Sequence, residues 1–465
     1  MRVYNTLGKI KEEFVPLNES SVSMYVCGVT VYDECHLGHA RAYITFDIIR
    51  RYLEYHGYKI QAVQNFTDVD DKIINRAREM DDDELSLKEK CQAISGKYIE
   101  SYHQIANALN IKRADIYPKA TEHIPQIIDL VQKLINRGHA YASGSDVYFR
   151  ISSFPEYGKL SGRKLEDMEA GARVEVNAQK EHPMDFVLWK SSKPEEPAWD
   201  SPWGQGRPGW HIECSAMSMK YLGASFDIHG GGKDLIFPHH ENEIAQSECA
   251  TGQPFVKYWL HNGFLNINKE KMSKSLGNFL TLRDVLEQHD PEALRLFFLQ
   301  THYRSPIDFS EDQIRESEKA LERFYNVFRQ TASQAQNSSG SALNKTVTEV
   351  SEEFEQAMDD DFNTPQALAV LFKLVKMINS TADNDPVKPE YVNLLKNLGL
   401  VLGLFEGMDD KPKDNIADDI EALIAERQQA RKDKNWARAD EIRDDLQAQG
   451  IVLEDTPQGV RWKRV

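Results

Sequence analysis

The chain has 465 residues, of which 41% are hydrophobic and 28% are charged, and this length predicts three or four domains rather than a single hydrophobic core. No apolar stretch approaches the length of a bilayer span, and the first 17 residues carry acidic side chains and lack the apolar region of a signal peptide. We therefore expect a cytoplasmic protein that has no membrane segment.

The first half of the chain alternates predicted strands and helices. Residues 24–27 and 59–66 have the apolar character of buried strands, and residues 40–55 between them form an amphipathic helix. A strand, a helix and a parallel strand make up the βαβ unit of doubly wound sheets. Further strands are predicted at 226–229 and 258–262. The predicted fold class is thus α/β, with a doubly wound parallel-sheet (Rossmann-like) catalytic domain.

The remainder of the chain predicts additional domains. Residues 114–200 combine a helix, an alternating strand and loops, which is typical of an insertion, and the pattern from residue 291 to residue 404 is helical. The predicted domains are the first half of the catalytic fold at 1–113, a connective insertion at 114–200, the second half with a lysine-containing loop and a stem-contact region at 201–304, a helical bundle at 305–406, a linker at 407–418 and a small C-terminal α/β domain at 419–465.

Two short motifs carry groups suited to binding phosphates. The run His36-Leu37-Gly38-His39 lies between the first strand and the first helix, where a helix N-terminus offers unpaired amides and a positive dipole end. Lys271 and Lys274 belong to the run KMSKS, and their ammonium groups can neutralise charge on a reacting phosphate. Either motif alone is as readily a helix cap or a basic surface loop. Together they predict an ATP site.

Four possible metal ligands surround the same region of the predicted sheet. Cys27 ends the first strand, Cys214 lies in the run GWHIEC, and His239 and Glu243 are four residues apart on one helix face. Two thiolates, an imidazole and a carboxylate suit a tetrahedral zinc site. The alternative is that the cysteines are small buried hydrophobes and that the His/Glu pair is solvated. No compact Cys-x-x-Cys spacing decides between the two.

The five cysteines are an odd number and are widely spread, which argues for reduced thiols rather than a disulfide framework. Cys35 and Cys249 lie close in sequence to the possible ligands. They are the alternatives if the assignment is wrong.

Long runs along nearly the whole chain resemble cysteinyl-tRNA synthetases, which are class I aminoacyl-tRNA synthetases. The runs HLGH and KMSKS also resemble the paired ATP-site signatures of that class. The first signature departs from the family's usual pattern only in having Leu37 where isoleucine is common, an apolar exchange of similar volume. The resembling runs are MYVCG at 24–28, NFTDVDDK at 65–72, DFVLWK at 185–190, the segment 206–218, DIHGGG at 227–232, MDDDFNTPQAL at 358–368 and the segment 436–457.

The resemblance implies ATP-dependent ligation of L-cysteine to tRNA(Cys) through a cysteinyl-adenylate, a step of protein biosynthesis. It also implies one zinc ion per chain that selects the substrate thiolate, and ATP that is used with Mg²⁺. The implied zinc ligands are Cys27, Cys214, His239 and Glu243.

The resemblance also assigns roles at the substrate site. The implied ATP contacts are His36, Gly38, His39 and Lys274, and the implied catalytic residues are His36, His39, Lys271 and Lys274. The implied substrate-binding residues are Gly28, Thr67, Trp210 and His229. The roles of Asp227 and Asp234 stay open.

The net charge of −17 argues against a nucleic-acid partner, but the charge is unevenly distributed along the chain. Residues 420–465 contain nine basic and nine acidic residues, so the acidic excess lies upstream. Arg427, Arg431, Lys434 and Arg438 recur at helical spacing and predict a basic ridge. The alternative is a solvated helix face whose bases pair with nearby acids.

Three functions compete. The first is a monomeric cysteine–tRNA ligase, the second is a relative that joins cysteine to a small amine, and the third is a non-catalytic tRNA- or zinc-binding descendant. The tRNA-binding end argues against the second. Intact His36, His39 and Lys274 argue against the third.

Overall fold

The computed structural model describes residues 1–82, 84–164, 179–267, 270–271, 280–331, 345–406, 415–433, 435–448, 451–456 and 459–464. The chain forms two compact units, Met1–Leu404 and Phe405–Val465. Among the described residues, no helix combines the length and the apolar character needed to cross a bilayer.

The first unit contains thirteen described strands. They are β1 (Arg2–Asn5), β2 (Ile10–Glu13), β3 (Ser21–Val26), β4 (Lys59–Gln64), β5 (Ala140–Ser143), β6 (Asp146–Phe149), β7 (Phe186–Ser191), β8 (Gly206–Pro208), β9 (Phe226–Gly232), β10 (Val256–Asn262), β11 (Leu265–Ile267), β12 (Glu270–Lys271) and β13 (Ile307–Phe309).

The described α-helices of the first unit number twelve. They are α1 (Leu37–Tyr55), α2 (Asp71–Arg78), α3 (Leu87–Ala108), α4 (Ile124–Asn136), α5 (Trp210–Leu222), α6 (Glu241–Thr251), α7 (Leu282–Gln288), α8 (Pro291–Leu299), α9 (Glu311–Thr331), α10 (Lys345–Asp359), α11 (Thr364–Ser380) and α12 (Lys388–Val401).

The central sheet is parallel and has the strand order β10-β9-β3-β4. β9 and β10 are buried along almost their whole length, as expected for strands covered on both faces. β3 and β4 are adjacent parallel strands that α1 connects, and β9 pairs with the other edge of β3. This is the doubly wound arrangement predicted from the sequence, and the carboxyl ends of β3, β9 and β10 meet at one edge.

A second four-stranded sheet has the antiparallel order β5-β6-β7-β8. Its first three strands lie in the predicted insertion at 114–200, and β8 follows the insertion. Leu130 and Leu134 of α4 pack with Trp189 of β7 in one apolar core, which also contains Ile212 and Ala245 from the helices next to the central sheet. Shared packing therefore fixes this sheet against the helices that carry two of the predicted zinc ligands.

Helix α1 is anchored to the rest of the unit by a buried ion-pair cluster. Asp47 accepts a hydrogen bond from Arg51 Nε at 2.7 Å and from Arg295 of α8, and its Oδ1 accepts from the amide of Lys112 at 2.8 Å. The two guanidinium groups hold the pKa of Asp47 below its usual value although burial alone would raise it. Because Arg295 also donates to the carbonyl of Leu402, the cluster ties the sheet fold to the end of the helical bundle.

The second unit contains helices α13 (Asn415–Lys432) and α14 (Trp436–Ala448) and the antiparallel strands β14 (Ile451–Thr456) and β15 (Gly459–Arg464). A small apolar core joins Ile424, Ile442, Leu446 and Ile451. Helix α13 begins within the segment that the sequence predicts as a linker.

The predicted basic ridge is wrong in two of its members. Arg427 is buried, and Arg438 donates to Glu426 at 2.9 Å and to Glu441 at 2.8 Å. Lys434 lies outside the described residues. Arg427 and Arg431 also belong to α13 and Arg438 to α14, so the four positions do not form one helix face. Arg438 follows the alternative, in which basic side chains pair with nearby acids.

Candidate active site

The first motif begins α1 at the carboxyl edge of the central sheet. His36 is the N-cap, and its Nδ1 accepts from the amide of Gly38 at 3.1 Å, while Nδ1 of His39 accepts from the amide of His36 at 3.2 Å. The two rings stack with centroids 3.7 Å apart. Because both Nδ1 atoms accept, neutral rings carry their protons on Nε2. Burial, and then the charges of His36 and Lys72, hold the pKa of His39 well below its usual value, so this ring stays neutral.

The second motif lies largely outside the described residues. Lys274 belongs to that part of the chain, and of Lys271 only the backbone is described, as part of β12 opposite Asn266. The chain that follows the motif returns to the first one. Thr281 pairs with His36 in an isolated bridge, and the amide of Leu282 donates to the carbonyl of Cys35 at 2.8 Å.

The four predicted zinc ligands converge beside the end of β3. Cys27, Cys214, His239 and Glu243 are all buried, and one potential ligand atom from each lies within 4.8 Å of every other. Cys214 is on α5, Glu243 is on α6, and His239 is in the turn that precedes α6. Four separate positions along the chain thus supply one cluster.

The distances within the cluster fit a tetrahedral ion. Zinc bonds of about 2.3 Å to sulfur and about 2.0 Å to nitrogen or oxygen place ligand atoms about 3.3 to 3.8 Å apart. The two sulfurs of Cys27 and Cys214 are 4.0 Å apart, and Cys27 Sγ is 3.8 Å from Glu243 Oε1. His239 Nε2 is 3.0 Å from the same oxygen. The donor set, two sulfurs with one nitrogen and one oxygen, suits zinc.

The members of the cluster shift one another's protonation. Burial would lower the pKa of His239, but Glu243 and Cys214 raise it to about 10, so a cation must displace this proton before the ring can act as a ligand. A hydrogen bond from Cys27 lowers the pKa of Cys214 to about 6, although burial opposes the change. Burial raises the pKa of Cys27 well above its usual value, with the neighbouring Cys214 adding to the effect. Burial would also raise the pKa of Glu243, but the charges of His229 and His239 lower it to about 2. The carboxylate and one thiolate are thus available to a cation.

Three histidines that sequence reasoning missed surround these ligands. Nδ1 of His211 lies 2.9 Å from Nδ1 of His239. This contact orients the His239 ring through the nitrogen that does not face the other ligands. Nε2 of His240 lies 3.2 Å from Cys27 Sγ, and its Nδ1 lies 2.8 Å from Nε2 of His261. The available signal was the density of histidines, since five of the fourteen lie between residues 211 and 261.

A second possible ligand set shares two members with the first. It consists of Cys27, His229, His240 and Glu243. Nε2 of His229, predicted to contact substrate, lies 2.9 Å from Glu243 Oε2, and the ring is fully buried. Its Nδ1 has no hydrogen-bond partner. His229 therefore lies beneath the cluster, with one polar atom available.

The other predicted substrate residues lie around the same cluster. The Trp210 ring stacks on His239 at 4.4 Å and is 41% exposed. The Thr67 hydroxyl donates to Glu213 Oε2 at 3.0 Å. The amide of Gly28 donates to Asn65 Oδ1 at 2.9 Å, and a Cβ at this position would overlap the Asn65 carbonyl oxygen. Only glycine permits this approach of the two chain segments.

Asp227 has a structural position. Its carboxylate accepts from the amides of Leu17 and Ser23 and from the Ser23 hydroxyl at 2.6 Å, near the start of β9 and away from the carboxyl edge. Asp234, in contrast, is exposed and follows the glycine run that ends β9.

Comparison with known proteins agrees with this geometry. Residues 13–319 match the family model of the class I (C) catalytic domain of tRNA synthetases, residues 353–406 match the DALR domain, and residues 413–462 match the cysteinyl-tRNA ligase anticodon binding domain.

Relatives that match over their full length are also similar to this chain. The cysteine–tRNA ligase of Geobacter metallireducens is 53% identical and that of Shewanella sediminis is 52% identical, and the matches cover 100% of this chain and 99% and 100% of those proteins. The structure of Mycobacterium tuberculosis methionyl-tRNA synthetase with methionyl-adenylate has a TM-score of 0.60 at 14% identity, covering 82% of this chain and 91% of that one. This likeness confirms the predicted α/β fold class. The chain therefore belongs to the cysteine–tRNA ligase family of class I tRNA synthetases.

Proposed function

We propose that this protein joins L-cysteine to tRNA(Cys) at the expense of ATP. The observation that carries the proposal is that the histidine-capped N-terminus of α1 and the Cys27/Cys214/His239/Glu243 cluster lie at the same edge of the parallel sheet. Ligands of α/β sheets bind at this edge. An ATP site and a thiol-selecting site next to one another are what cysteine activation requires.

The first step forms cysteinyl-adenylate. A carboxylate oxygen of cysteine attacks the α-phosphorus of ATP, the bond from this phosphorus to the oxygen that bridges to the β-phosphorus breaks, and pyrophosphate leaves. Mg²⁺ bound to the phosphates would neutralise part of their charge. The Nε2 protons of His36 and His39 and the amides that begin α1 donate to phosphate oxygens. Lys274, assisted by Lys271, neutralises the charge that develops on the phosphates.

The second step transfers the cysteinyl group. A ribose hydroxyl at the tRNA terminus attacks the carbonyl carbon of the adenylate, loses its proton, and displaces AMP. The protein holds the reactants in place and need not form a covalent bond to either.

Cysteine is selected at the metal cluster. One zinc ion per chain, held by Cys27, Cys214, His239 and Glu243, would favour the thiolate form of the substrate and supply a soft partner for its sulfur. Gly28 lets the chain segment of Asn65 approach the end of β3 beside the pocket, Thr67 accepts from the ammonium group of the substrate, and Trp210 covers the pocket. His229 supports Glu243 from below.

The tRNA contacts are assigned to the helical bundle and to the C-terminal unit. The family matches at 353–406 and 413–462 favour a tRNA acceptor over a small amine. We also propose the domain division given by the sequence, with the bundle at 305–406 and the anticodon-binding domain at 419–465, and a monomer that acts in the cytoplasm.

The decisive experiment is cysteine-dependent exchange of ³²P between pyrophosphate and ATP, followed by charging of tRNA(Cys). The proposal expects both activities, with exchange occurring without tRNA. Exchange with no charging would instead favour a small-amine acceptor, and the absence of both would favour a binding protein without catalysis.

A further inference from the structure

Asp361 lies in the turn between α10 and α11, in the helical bundle, and is fully buried. Its φ angle is 66° and that of Phe362 is 54°. Two successive residues other than glycine in the left-handed region cost free energy, and such strain persists only where surrounding contacts impose it. The contacts of this aspartate therefore identify what the turn is built to hold.

Those contacts lie in the nucleotide-binding fold. Oδ1 of Asp361 accepts from the amide of Tyr4 at 2.8 Å and from the hydroxyl of Tyr303 at 2.9 Å, and Oδ2 accepts from Nε of Arg304 at 2.6 Å. The aspartate thus fixes the backbone of loop 302–305, which leads from α8 to β13.

The carbonyl oxygens of loop 302–305 face the nucleotide edge of the sheet. Those of Tyr303 and Ser305 accept from Arg41, the first at 3.2 Å, and that of Arg304 accepts from Lys233 Nζ at 2.9 Å. The amide of Gly263, directly after β10, donates to the Tyr303 carbonyl at 2.8 Å. The loop therefore contacts the chain segments that follow β9 and β10.

Arg41 extends this contact to the first ATP motif. It lies two residues after His39 on α1, is buried, and donates to three carbonyl oxygens, the third being that of Phe264 at 2.6 Å. Among the described residues it has no carboxylate partner within ion-pair distance. Its position is consequently set by carbonyl oxygens, two of which belong to loop 302–305.

We propose that Asp361 is a positioning residue for the ATP site, acting through loop 302–305 and Arg41 on the N-terminal turn of α1. The proposal rests on the ATP chemistry proposed above and extends it, since it gives the helical bundle a part in adenylate formation in the absence of tRNA. A small misplacement of groups that bind reacting phosphates slows the reaction while leaving the four ligands of the thiol pocket in place.

The chain supplies a matched control. Asp359, two residues earlier, also joins the bundle to α1, because its Oδ1 accepts from the Tyr52 hydroxyl at 2.7 Å and lies 3.2 Å from Nε2 of His56. Tyr52 is eleven residues after Arg41, about 16 Å further along the helix at 1.5 Å per residue. Loss of this contact weakens the same interface at the opposite end of α1.

The experiment uses two pairs of variants. Tyr303→Phe removes the hydroxyl that donates to Asp361, and Tyr52→Phe removes the hydroxyl that donates to Asp359. The second pair is Asp361→Asn and Asp359→Asn. ATP–pyrophosphate exchange is measured against ATP and, separately, against cysteine, together with zinc content and melting temperature. We expect Tyr303→Phe and Asp361→Asn to lower kcat/KM for ATP by about tenfold or more, with the KM for cysteine and zinc content unchanged. The two control variants should stay within about twofold of wild type.

A double-variant cycle tests the route. Arg41→Lys combined with Asp361→Asn should lose less than the product of the two single effects, whereas Arg41→Lys with Asp359→Asn should be multiplicative. Equal effects of the paired variants, an effect on cysteine KM alone, or a multiplicative Arg41 and Asp361 pair would overturn the inference. A wild-type protein without exchange activity would instead overturn the proposed function on which it rests.

Discussion

The hydroxyl of Thr67 lies 3.0 Å from Oε2 of Glu213, and both side chains are buried beside Cys214. The hydroxyl donates to this side-chain oxygen and retains lone pairs with which it can accept a further hydrogen bond. This polarity suits a donor such as the ammonium group of an amino acid.

Thr67→Val should therefore raise the KM for cysteine by about tenfold or more, because hydrogen bonds to charged groups are worth about 1.5–3 kcal/mol. Thr67→Ser keeps the hydroxyl and serves as the control. Pyrophosphate exchange over a range of cysteine concentrations, with zinc content measured in parallel, tests this expectation. An unchanged KM in the valine variant would remove Thr67 from the substrate pocket.

Purified protein should contain one zinc ion per chain, and Cys214→Ala should lose it. Removing one of four ligands leaves an incomplete set in which the remaining thiolate and carboxylate are poorly matched. Elemental analysis of chelator-free protein measures the metal. Cys249→Ala, which alters a buried cysteine of the neighbouring apolar core, should retain full zinc. Full metal in the Cys214 variant would contradict the ligand assignment.

Lys274→Ala should slow adenylate formation by about 10²-fold or more and change cysteine binding little. A charge that acts mainly in the transition state contributes to the chemical step rather than to ground-state affinity. Single-turnover formation of cysteinyl-adenylate measures the step directly. Lys257→Ala, on β10 away from the motif, is the control. Identical single-turnover rates in the two variants would exclude Lys274 from the mechanism.

A chain that ends at Glu406 should activate cysteine nearly as well as the full chain but charge tRNA(Cys) poorly. The compact unit Met1–Leu404 contains the whole candidate active site, whereas the anticodon-binding match begins at residue 413. Exchange and charging assays on the two proteins separate the steps. Unchanged charging efficiency and specificity would refute the anticodon role of the C-terminal unit.

Serine should be rejected at activation, without a separate editing reaction. A site that binds one particular polar group can discriminate by about 10⁴ to 10⁵, far more than an apolar pocket achieves, and a serine hydroxyl is a harder and poorer zinc ligand than a thiolate. The measurement is the decay of preformed seryl-tRNA(Cys) mixed with the protein. Rapid hydrolysis that depends on the protein would reveal an editing site.

The sheet and its crossover helix were predictable because buried parallel strands appear as apolar runs, and because residues 40–55 have the amphipathic pattern of a helix. The strands predicted at 24–27 and 59–66 correspond to β3 and β4 within a few residues. The convergence of Cys27 with Cys214 was not accessible from spacing alone, since 187 residues separate them. It was reached through the family resemblance.

The surrounding histidines could not have been placed in the same way. His239 and His240 are adjacent in sequence and lie in an irregular turn before α6, so no regular periodicity indicates which faces each ring takes. The basic ridge failed for a related reason. The spacing of the basic residues does not reveal that one helix ends at Lys432 and the next begins at Trp436. It also does not reveal the burial of Arg427 or the acidic partners of Arg438.

The buried Asp47 cluster has a consequence for exchanging parts between relatives. Asp47 and Arg51 belong to the sheet fold, while Arg295 contacts the carbonyl of Leu402 at the end of the bundle. In a chimera that replaces any one of these side chains by an apolar residue, the others remain as uncompensated buried charges. This lowers the free energy of unfolding by about 3–5 kcal/mol. The three positions must be inherited or transplanted together, so a recombination boundary placed between residues 51 and 295 is safe only when both donors carry the same trio.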